Sequence, residues 1–291
     1  MEYGYLLLLV FCCLEYLGGN MAGKLFIVGT PIGNMGDITL RAIETLKAVD
    51  MIACEDTRHS SILLNKLDIK KPLISYYLHK ERSSGEKIIQ LLQEGKDIAL
   101  ITDAGMPCIS DPGAMLVQMA DEFGLEYSVV PGATAVTSAM ALSGITRRGF
   151  CFLGFLPEKN IDKENLIVPY KNIDIQLVFY CSPHNINNDL TFLHKVLGER
   201  NIVVVKEITK MYERVEKGVL GYFQIDEPRG EYVVIVEGKD FKSDLCELSI
   251  EEHLQFNIDK GLTKKEAIKV TATERGVPKD VVYKVALNLN I

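Results

Sequence analysis

The chain of 291 residues lacks several features that mark common functional classes. It contains no Trp and only 5 His, and its 7 Cys include no C-x-x-C pair. Because structural zinc sites need clustered Cys and His ligands at short spacings, the sequence predicts no such metal. Scattered cysteines are also more typical of a reducing cytosol than of a disulfide-bonded secreted domain, so we expect a cytoplasmic protein.

Positive charge is scarce as well. Asp and Glu outnumber Lys and Arg by 39 to 32, which gives a formal net charge of −7. A protein that holds nucleic acid by bulk electrostatics is basic, so any RNA contact must come from a local basic patch. With 47% hydrophobic and 24% charged residues, the composition is that of a globular protein, and its length is sufficient for two domains.

The longest apolar run near the N-terminus is short. Tyr5–Cys13 cannot span a bilayer, and it lacks the basic flank of a signal peptide. A second plausible start, Met21, stands just before the first predicted strand. We therefore interpret residues 1–20 as an upstream extension outside the fold and expect no membrane partner; a membrane anchor is the alternative.

The fold is predicted most clearly by residues 25–58. A short apolar strand at Leu25–Val28 enters the turn GTPIGN, a helix pattern follows over residues 38–49, and a second strand ends at Cys54. This strand, Gly-rich turn and helix is the layout by which α/β proteins build ligand sites at the carboxyl ends of parallel strands. Polar residues follow the second strand: Glu55, Asp56, Arg58 and His59.

Two later strands end in similar turns. Residues 97–102 precede DAGMPCISDPG, and a strand ending at Val130 precedes PGATA, with a helix pattern after each turn. In a parallel sheet these strand ends share one edge, so three small-residue turns meet there. This convergence indicates a ligand-binding site at that edge of the sheet. A carboxylate beside exposed amides, as at Asp103, suits a ligand that has hydroxyls and a charged amino-acid part.

The second half of the chain shows a different arrangement of predicted strands and helices. Hairpin-length spacings between strands predict a mixed sheet with few crossover helices, and three short helix patterns follow. We predict an N-terminal α/β domain at 21–145, a second α/β domain at 146–240 and a helix-turn-helix-like module at 249–291. Lysines including Lys264 and Lys265 could give that module a basic face for RNA. A packing role without RNA contact is the alternative.

The exact residues of these motifs identify a family more specifically than the pattern of strands, turns and helices does. GTPIGNMGDITLRA, EDTRHS, DAGMPCISDPG, PGATA, FLGFLP, SPH and KEITK occur in that order within residues 24–289. Together they closely resemble the ribosomal RNA small-subunit methyltransferase I family of the tetrapyrrole methylase superfamily. The resemblance implies S-adenosylmethionine bound in a cleft between two α/β domains. It also implies a homodimer that methylates the ribose 2′-hydroxyl of a cytidine in the decoding centre of 16S ribosomal RNA, within the small ribosomal subunit.

Candidate site residues follow from the resemblance and from the chemistry. The resemblance implies nine cofactor contacts: Pro31, Asp103, Ala104, Gly105, Ile109, Ser110, Thr134, Ala135 and Tyr180. Because a ribose hydroxyl is a poor nucleophile, a general base could assist. The candidates for that role are Glu55, Asp56, His59, Lys206 and Glu207. The candidate RNA contacts are Arg58, His184, Lys264 and Lys265, although Arg58 could instead pair with Glu55 and His184 could be a structural turn residue.

Two departures from the family bear on the substrate. The family usually carries Glu-Ser-Pro-His-Arg where this chain has Cys181–Asn185. It also tends to carry Arg and Lys where this chain has the far less basic segment Glu158–Asp162. If those family residues meet RNA phosphates, their loss weakens binding and lessens its salt dependence. Two alternatives therefore stay open. One is a corrin or porphyrin precursor methylase on the same fold, and the other is a non-catalytic ribosome-binding homologue.

Overall fold

The computed structural model describes residues 22–77, 81–146, 149–239 and 245–288. The N-terminal extension and Met21 lie outside the described residues. Two five-stranded sheets and a C-terminal group of helices form this part of the chain. The predicted fold class, two α/β units followed by a helical module, is confirmed. The domain limits given above remain a prediction. Within the described ranges, no helix is both long and apolar enough to cross a membrane.

The first sheet is entirely parallel, with the strand order β3-β2-β4-β1-β5. Its strands are β1 Leu25–Val28, β2 Met51–Cys54, β3 Leu73–Ser75, β4 Ile98–Leu100 and β5 Tyr127–Val130. Its helices are α1 Leu40–Ala48, α2 Thr57–Lys66, α3 Glu81–Gln93, α4 Ala114–Glu122 and α5 Ala135–Ser143. All three residues of β4 are buried, as a strand covered on both faces requires. Because β4 and β5 flank β1, the three small-residue turns do lie side by side.

Helix α1 begins two residues later than the pattern over 38–49 predicts. The hydroxyl of Thr39 accepts a hydrogen bond from the Ala42 N–H and caps the helix, while Met35–Asp37 form a separate 3-10 turn. An N-cap residue is itself non-helical, so the position of Thr39 fixes the start. Ala42 and Leu46 face inward and are fully buried, as the apolar periodicity predicts.

The second sheet is mixed, as predicted, with the order β6-β7-β10-β8-β9. Its strands are β6 Phe150–Phe155, β7 Gln176–Cys181, β8 Asn201–Lys206, β9 Arg214–Val219 and β10 Tyr232–Val236, and its helices are α6 Asn160–Ile167 and α7 Ile186–Leu197. Only β6 and β7 pair in parallel; the other neighbours are antiparallel. On α7, Ile186, Leu190, Leu193 and Leu197 repeat at helical spacing and are buried in the core on one face of this sheet.

Helix α5 joins the two sheets. It follows the first sheet, yet its Val136 and Ala139 pack against Val178, Val203 and Val233 on the second. Burial of this apolar face fixes the first sheet's strand ends opposite the second sheet.

The C-terminal helices are α8 Ile250–Asp259, α9 Lys264–Arg275 and α10 Lys279–Asn288. Capping boxes at Ser249 and Thr263 begin α8 and α9. The three helices share a small core of their own that includes Leu254, Ala267 and Val282. They therefore form a compact helical module.

Candidate functional site

A cleft with a volume of about 460 Å³ opens between the two sheets. Glu55, Thr102–Met106, Ile109–Asp111 and Thr134–Ala135 line its first side, together with Ile32. The opposite side is formed by Phe155, Tyr180–Pro183, Ile208 and Glu231–Val233. The volume lies within the usual range for small-molecule sites, and such sites favour the carboxyl ends of parallel strands.

Thr30 ties two of the turns together. Its N–H donates to the carbonyl of Gly105 at 2.9 Å, and its hydroxyl contacts the carbonyls of Thr102 and Gly105, each at 3.2 Å. The side chain is buried, so these hydrogen bonds are shielded from water. The turn after β1 therefore fixes the position of the turn after β4.

Gly29 and Gly132 hold the turns after β1 and β5 in contact. A Cβ atom on Gly132 would lie 2.9 Å from the backbone of Gly29, and one on Gly29 would lie 2.7 Å from Cα of Gly132. Only glycine allows the two chains to approach this closely. The small residues that marked these turns in the sequence are thus required by packing at the edge of the sheet.

The turn after β4 has an unusual backbone. Cys108 has a φ of 69°, in the left-handed region that non-glycine residues seldom occupy. The next helix begins after Gly113, whose φ is 138° and whose N–H donates to Glu81 at 3.0 Å. Strain of this kind persists where surrounding contacts enforce it, and it is commonly found at ligand sites.

Three carboxylates give the cleft an acidic wall. Oδ1 of Asp103 is buried and has no hydrogen-bond partner among the described residues. Burial raises the pKa of Glu55, and the charge of Asp103 raises it further. Burial also raises the pKa of Asp111, opposed by a hydrogen bond from Thr102. Such a wall favours a ligand with hydroxyl groups or positive charge.

The acidic wall does not form a metal site. No group of three or more His, Cys, Asp or Glu side chains is arranged to hold a metal ion anywhere in the described ranges.

Aromatic rings form part of the other wall. The Tyr180 ring packs edge-on against Phe152 and Phe155, with centroid distances of 4.7 and 5.5 Å. Tyr180 and Phe155 both line the cleft, and burial raises the pKa of the Tyr180 hydroxyl. These rings offer an apolar surface to a flat ligand group.

Eight of the nine predicted cofactor residues line this cleft: Asp103, Ala104, Gly105, Ile109, Ser110, Thr134, Ala135 and Tyr180. Pro31 does not; the structure places its neighbour Ile32 in the lining. Contact between Pro31 and the cofactor stays a prediction.

The candidate bases after β2 separate into two groups. Glu55 lines the cleft, whereas Asp56 and His59 do not. Asp56 caps α2 by accepting the Arg58 N–H at 2.8 Å, and its carboxylate pairs with the Arg58 guanidinium at 3.1 Å. Arg58 thus pairs with Asp56 and not with Glu55. His59 is exposed in the first turn of α2.

Lys206 and Glu207 also lie outside the lining, next to Ile208, which is part of it. The Lys206 ammonium lies 5.5 Å from the centre of the Tyr232 ring. Burial tends to raise the pKa of Glu207, but hydrogen bonds from Lys210 and from the Glu231 N–H outweigh it and lower the pKa. A carboxylate with a lowered pKa is a weaker base, so these contacts favour a structural role for Glu207.

The candidate RNA contacts are dispersed. His184 is exposed and follows the cleft residues Ser182 and Pro183. Lys264 and Lys265 lie in the first turn of α9. Arg275, at the other end of that helix, donates to the carbonyls of Leu245 and Leu248 at 3.0 and 2.9 Å, so it holds the start of the module.

The sequence-based list missed several lining residues. Asp111 and Phe155 stand inside the motifs DAGMPCISDPG and FLGFLP, so those motifs could have indicated them. Glu231–Val233 carried no such signal, because only the strand order of the mixed sheet brings β10 to the cleft.

Comparison with known proteins identifies the family. The profile of the Tetrapyrrole (Corrin/Porphyrin) Methylases matches residues 24–223. The chain belongs to this family. Within it, the "Ribosomal RNA small subunit methyltransferase I" of Bacillus subtilis is 42% identical over 280 residues, covering 93% of this chain and 96% of the relative. The protein of the same name from Thermotoga maritima is 41% identical and covers 75% of this chain and 100% of the relative. The predicted membership of the methyltransferase I group is confirmed.

Solved structures of other proteins share the fold. Diphthine synthase superposes with a TM-score of 0.61 at 15% identity, over 74% of this chain and 90% of that chain. Uroporphyrin-III C-methyltransferase from Thermus thermophilus superposes with a TM-score of 0.52 at 20% identity, over 73% of this chain and 94% of that chain. At these identities the likeness concerns the fold alone.

Proposed function

We propose that the protein is an S-adenosylmethionine-dependent methyltransferase that methylates the ribose 2′-hydroxyl of a cytidine in the decoding centre of 16S ribosomal RNA. The names of the relatives support a ribosomal RNA substrate. The observation that carries the cofactor part is the buried, unpartnered oxygen of Asp103 in the cleft between the sheets.

The cleft residues fit S-adenosylmethionine chemically. The free oxygen of Asp103 can accept a hydrogen bond from a hydroxyl or ammonium group, and the acidic wall with Glu55 and Asp111 suits a cation. Phe155 and Tyr180 offer an apolar surface to a purine ring. When bound, the cofactor supplies an electrophilic methyl group on a positively charged sulfur.

The chain itself contributes alignment and a base. Turns fixed by Thr30 and by the Gly29–Gly132 contact hold the cleft in one geometry, and alignment in a water-poor cleft supplies much of the acceleration of a displacement reaction. Glu55 lines the cleft, which supports it as the group that accepts the proton that the ribose 2′-hydroxyl must lose. Its raised pKa makes it a stronger base than an exposed glutamate.

Methyl transfer to small ribosomal subunits from cells that lack the protein tests this function. With labelled S-adenosylmethionine, the wild type should label the 16S RNA at a site that resists alkaline cleavage, and Asp103→Ala should abolish the label. Cofactor binding without label on any RNA would contradict the proposal and favour the ribosome-binding homologue. Label on a corrin or porphyrin precursor, and none on RNA, would favour the small-molecule methylase.

Localisation and assembly belong to the same proposal. Modification of small ribosomal subunits places the protein in the cytoplasm, and the family resemblance implies a homodimer. Light scattering of the purified protein tests the dimer, which a monomeric mass would contradict.

A further inference from the structure

The segment between β8 and β9, residues 207–213, stands at the cleft end of the second sheet. Its Ile208 lines the cleft, and Lys206 pairs across the sheet with the cleft residue Tyr232. A Cβ atom on Gly33 would lie 2.6 Å from Cγ of Lys210, so the lysine stem rests on the turn after β1. The segment therefore reaches from the second sheet to the first, beside Ile32 and the cleft opening.

This segment is held in a strained and well-defined shape. Glu207 and Thr209 have φ values of 52° and 65°, and a β-branched residue such as Thr209 is seldom found there. Lys210 binds Glu207 at 3.0 Å and Glu231 at 2.9 Å, and the Thr209 N–H donates to Glu213 at 2.7 Å. Backbone strain that is enforced by such contacts is characteristic of segments that present side chains to a ligand.

The side chains presented at its tip are apolar and exposed. Met211 is 89% exposed and Tyr212 is 68% exposed. The charge of Lys210 is balanced by Glu207 and Glu231, which weakens that lysine as a contact for phosphate. A flexible apolar side chain beside an exposed aromatic ring is a suitable surface for the face of an unstacked nucleotide base.

We propose that Tyr212, supported by Met211, stacks on an unpaired base of the RNA substrate next to the ribose that enters the cleft. The occupant is a single-stranded RNA segment, because the relatives are named for a ribosomal RNA substrate and the protein segment 207–213 stands at the cleft through Ile208. Stacking of a base on an aromatic ring is also possible for a chain with a net charge of −7, because the contact itself needs no positive charge. This inference rests on the proposed function and names a residue that positions its substrate. Such a contact would not depend on the segment after FLP, where Glu158–Asp162 include a single basic residue, Lys159.

Binding of small ribosomal subunits, measured by sedimentation without turnover, tests the inference. Tyr212→Ala should weaken binding about tenfold, and Tyr212→Phe, which keeps the ring face, should bind like the wild type. Tyr222→Ala is the matched control: Tyr222 is 76% exposed and follows the opposite end of β9. The affinity for S-adenosylmethionine should be unchanged in all three variants.

Three results would overturn the stacking role: Tyr212→Ala binding subunits like the wild type, an equal loss in Tyr222→Ala, or a parallel loss of cofactor affinity. Failure of the proposed methyl transfer can be distinguished from failure of the stacking role. A wild type that binds subunits without labelling them would contradict the proposed reaction, while the variants would still decide the stacking role. A wild type that binds no subunits overturns both.

Discussion

Asp103 carries a buried carboxylate oxygen that has no hydrogen-bond partner among the described residues. Because a charge-assisted hydrogen bond to a ligand is worth about 1.5–3 kcal/mol, Asp103→Asn should weaken S-adenosylmethionine binding roughly 10- to 100-fold. The fold should be unharmed, since Oδ1 forms no hydrogen bond within the described protein. Calorimetric titration checks the affinity, with Asp121→Asn as an exposed control. Unchanged cofactor affinity in Asp103→Asn would contradict this assignment.

Glu55 should make stability depend on pH. Its pKa is raised, chiefly by burial, so the folded state binds its proton more tightly than the unfolded chain does. That contribution to stability is present below the ordinary glutamate value of 4.5 and is lost as the pH rises through the raised pKa. Glu55→Gln should therefore melt at a progressively higher temperature than the wild type as the pH increases through this window.

A glutamate whose pKa is shifted in the opposite direction provides the control for Glu55. Hydrogen bonds from the Thr263 hydroxyl and N–H lower the pKa of Glu266. Glu266→Gln should therefore lose stability relative to the wild type as the pH rises. Melting curves over the acidic range measure both variants, and the same trend in both would contradict the assignment.

At the scale of elements, the contact between the turns after β1 and β5 decides the shape of the cleft. Gly132→Ala places a methyl group against the Gly29 backbone, and overpacking of this kind costs about 1–3 kcal/mol. Denaturant unfolding should show that loss, and cofactor binding should weaken as well. Gly36→Ala is the matched control, because its Cβ would meet only the side chain of Asn34. Equal effects of the two substitutions would mean that the close approach is not critical.

At the scale of the whole molecule, the helical module should be separable from cofactor binding. The residues that line the cleft lie between Ile32 and Val233, and the module packs around its own core. The relative from Thermotoga maritima matches 75% of this chain along its entire length, so a shorter protein carries the same name. A chain that ends at residue 244 should fold, bind S-adenosylmethionine like the full chain, and bind small ribosomal subunits more weakly.

Cofactor titration and subunit sedimentation measure the two effects of that truncation. Full subunit affinity in the shortened chain would show that the module, with Lys264 and Lys265, is a packing element only. Loss of cofactor binding in a folded truncated chain would show that the module shapes the cleft.

Local signals in the sequence were sufficient for much of the fold and for the first side of the cleft. The turn after β4 is marked by two glycines, two prolines and two aspartates, and its residues 103–106 and 109–111 line the cleft. The capping boxes at Ser249 and Thr263 are signals of the same local kind, because the two partners of each box lie three residues apart in the chain. Features of this kind depend on neighbours in the chain, which is why a sequence can reveal them.

The sequence by itself thus determined the parallel first sheet, its three small-residue turns, the family and the position of Asp103. Only the tertiary structure decided that Glu55 lies in the cleft while Asp56 pairs with Arg58, that Glu207 is held by Lys210, and that β10 completes the opposite wall. The reason is physical. Side-chain pairing and the strand order of a mixed sheet depend on contacts between residues far apart in the chain, and no local periodicity encodes them.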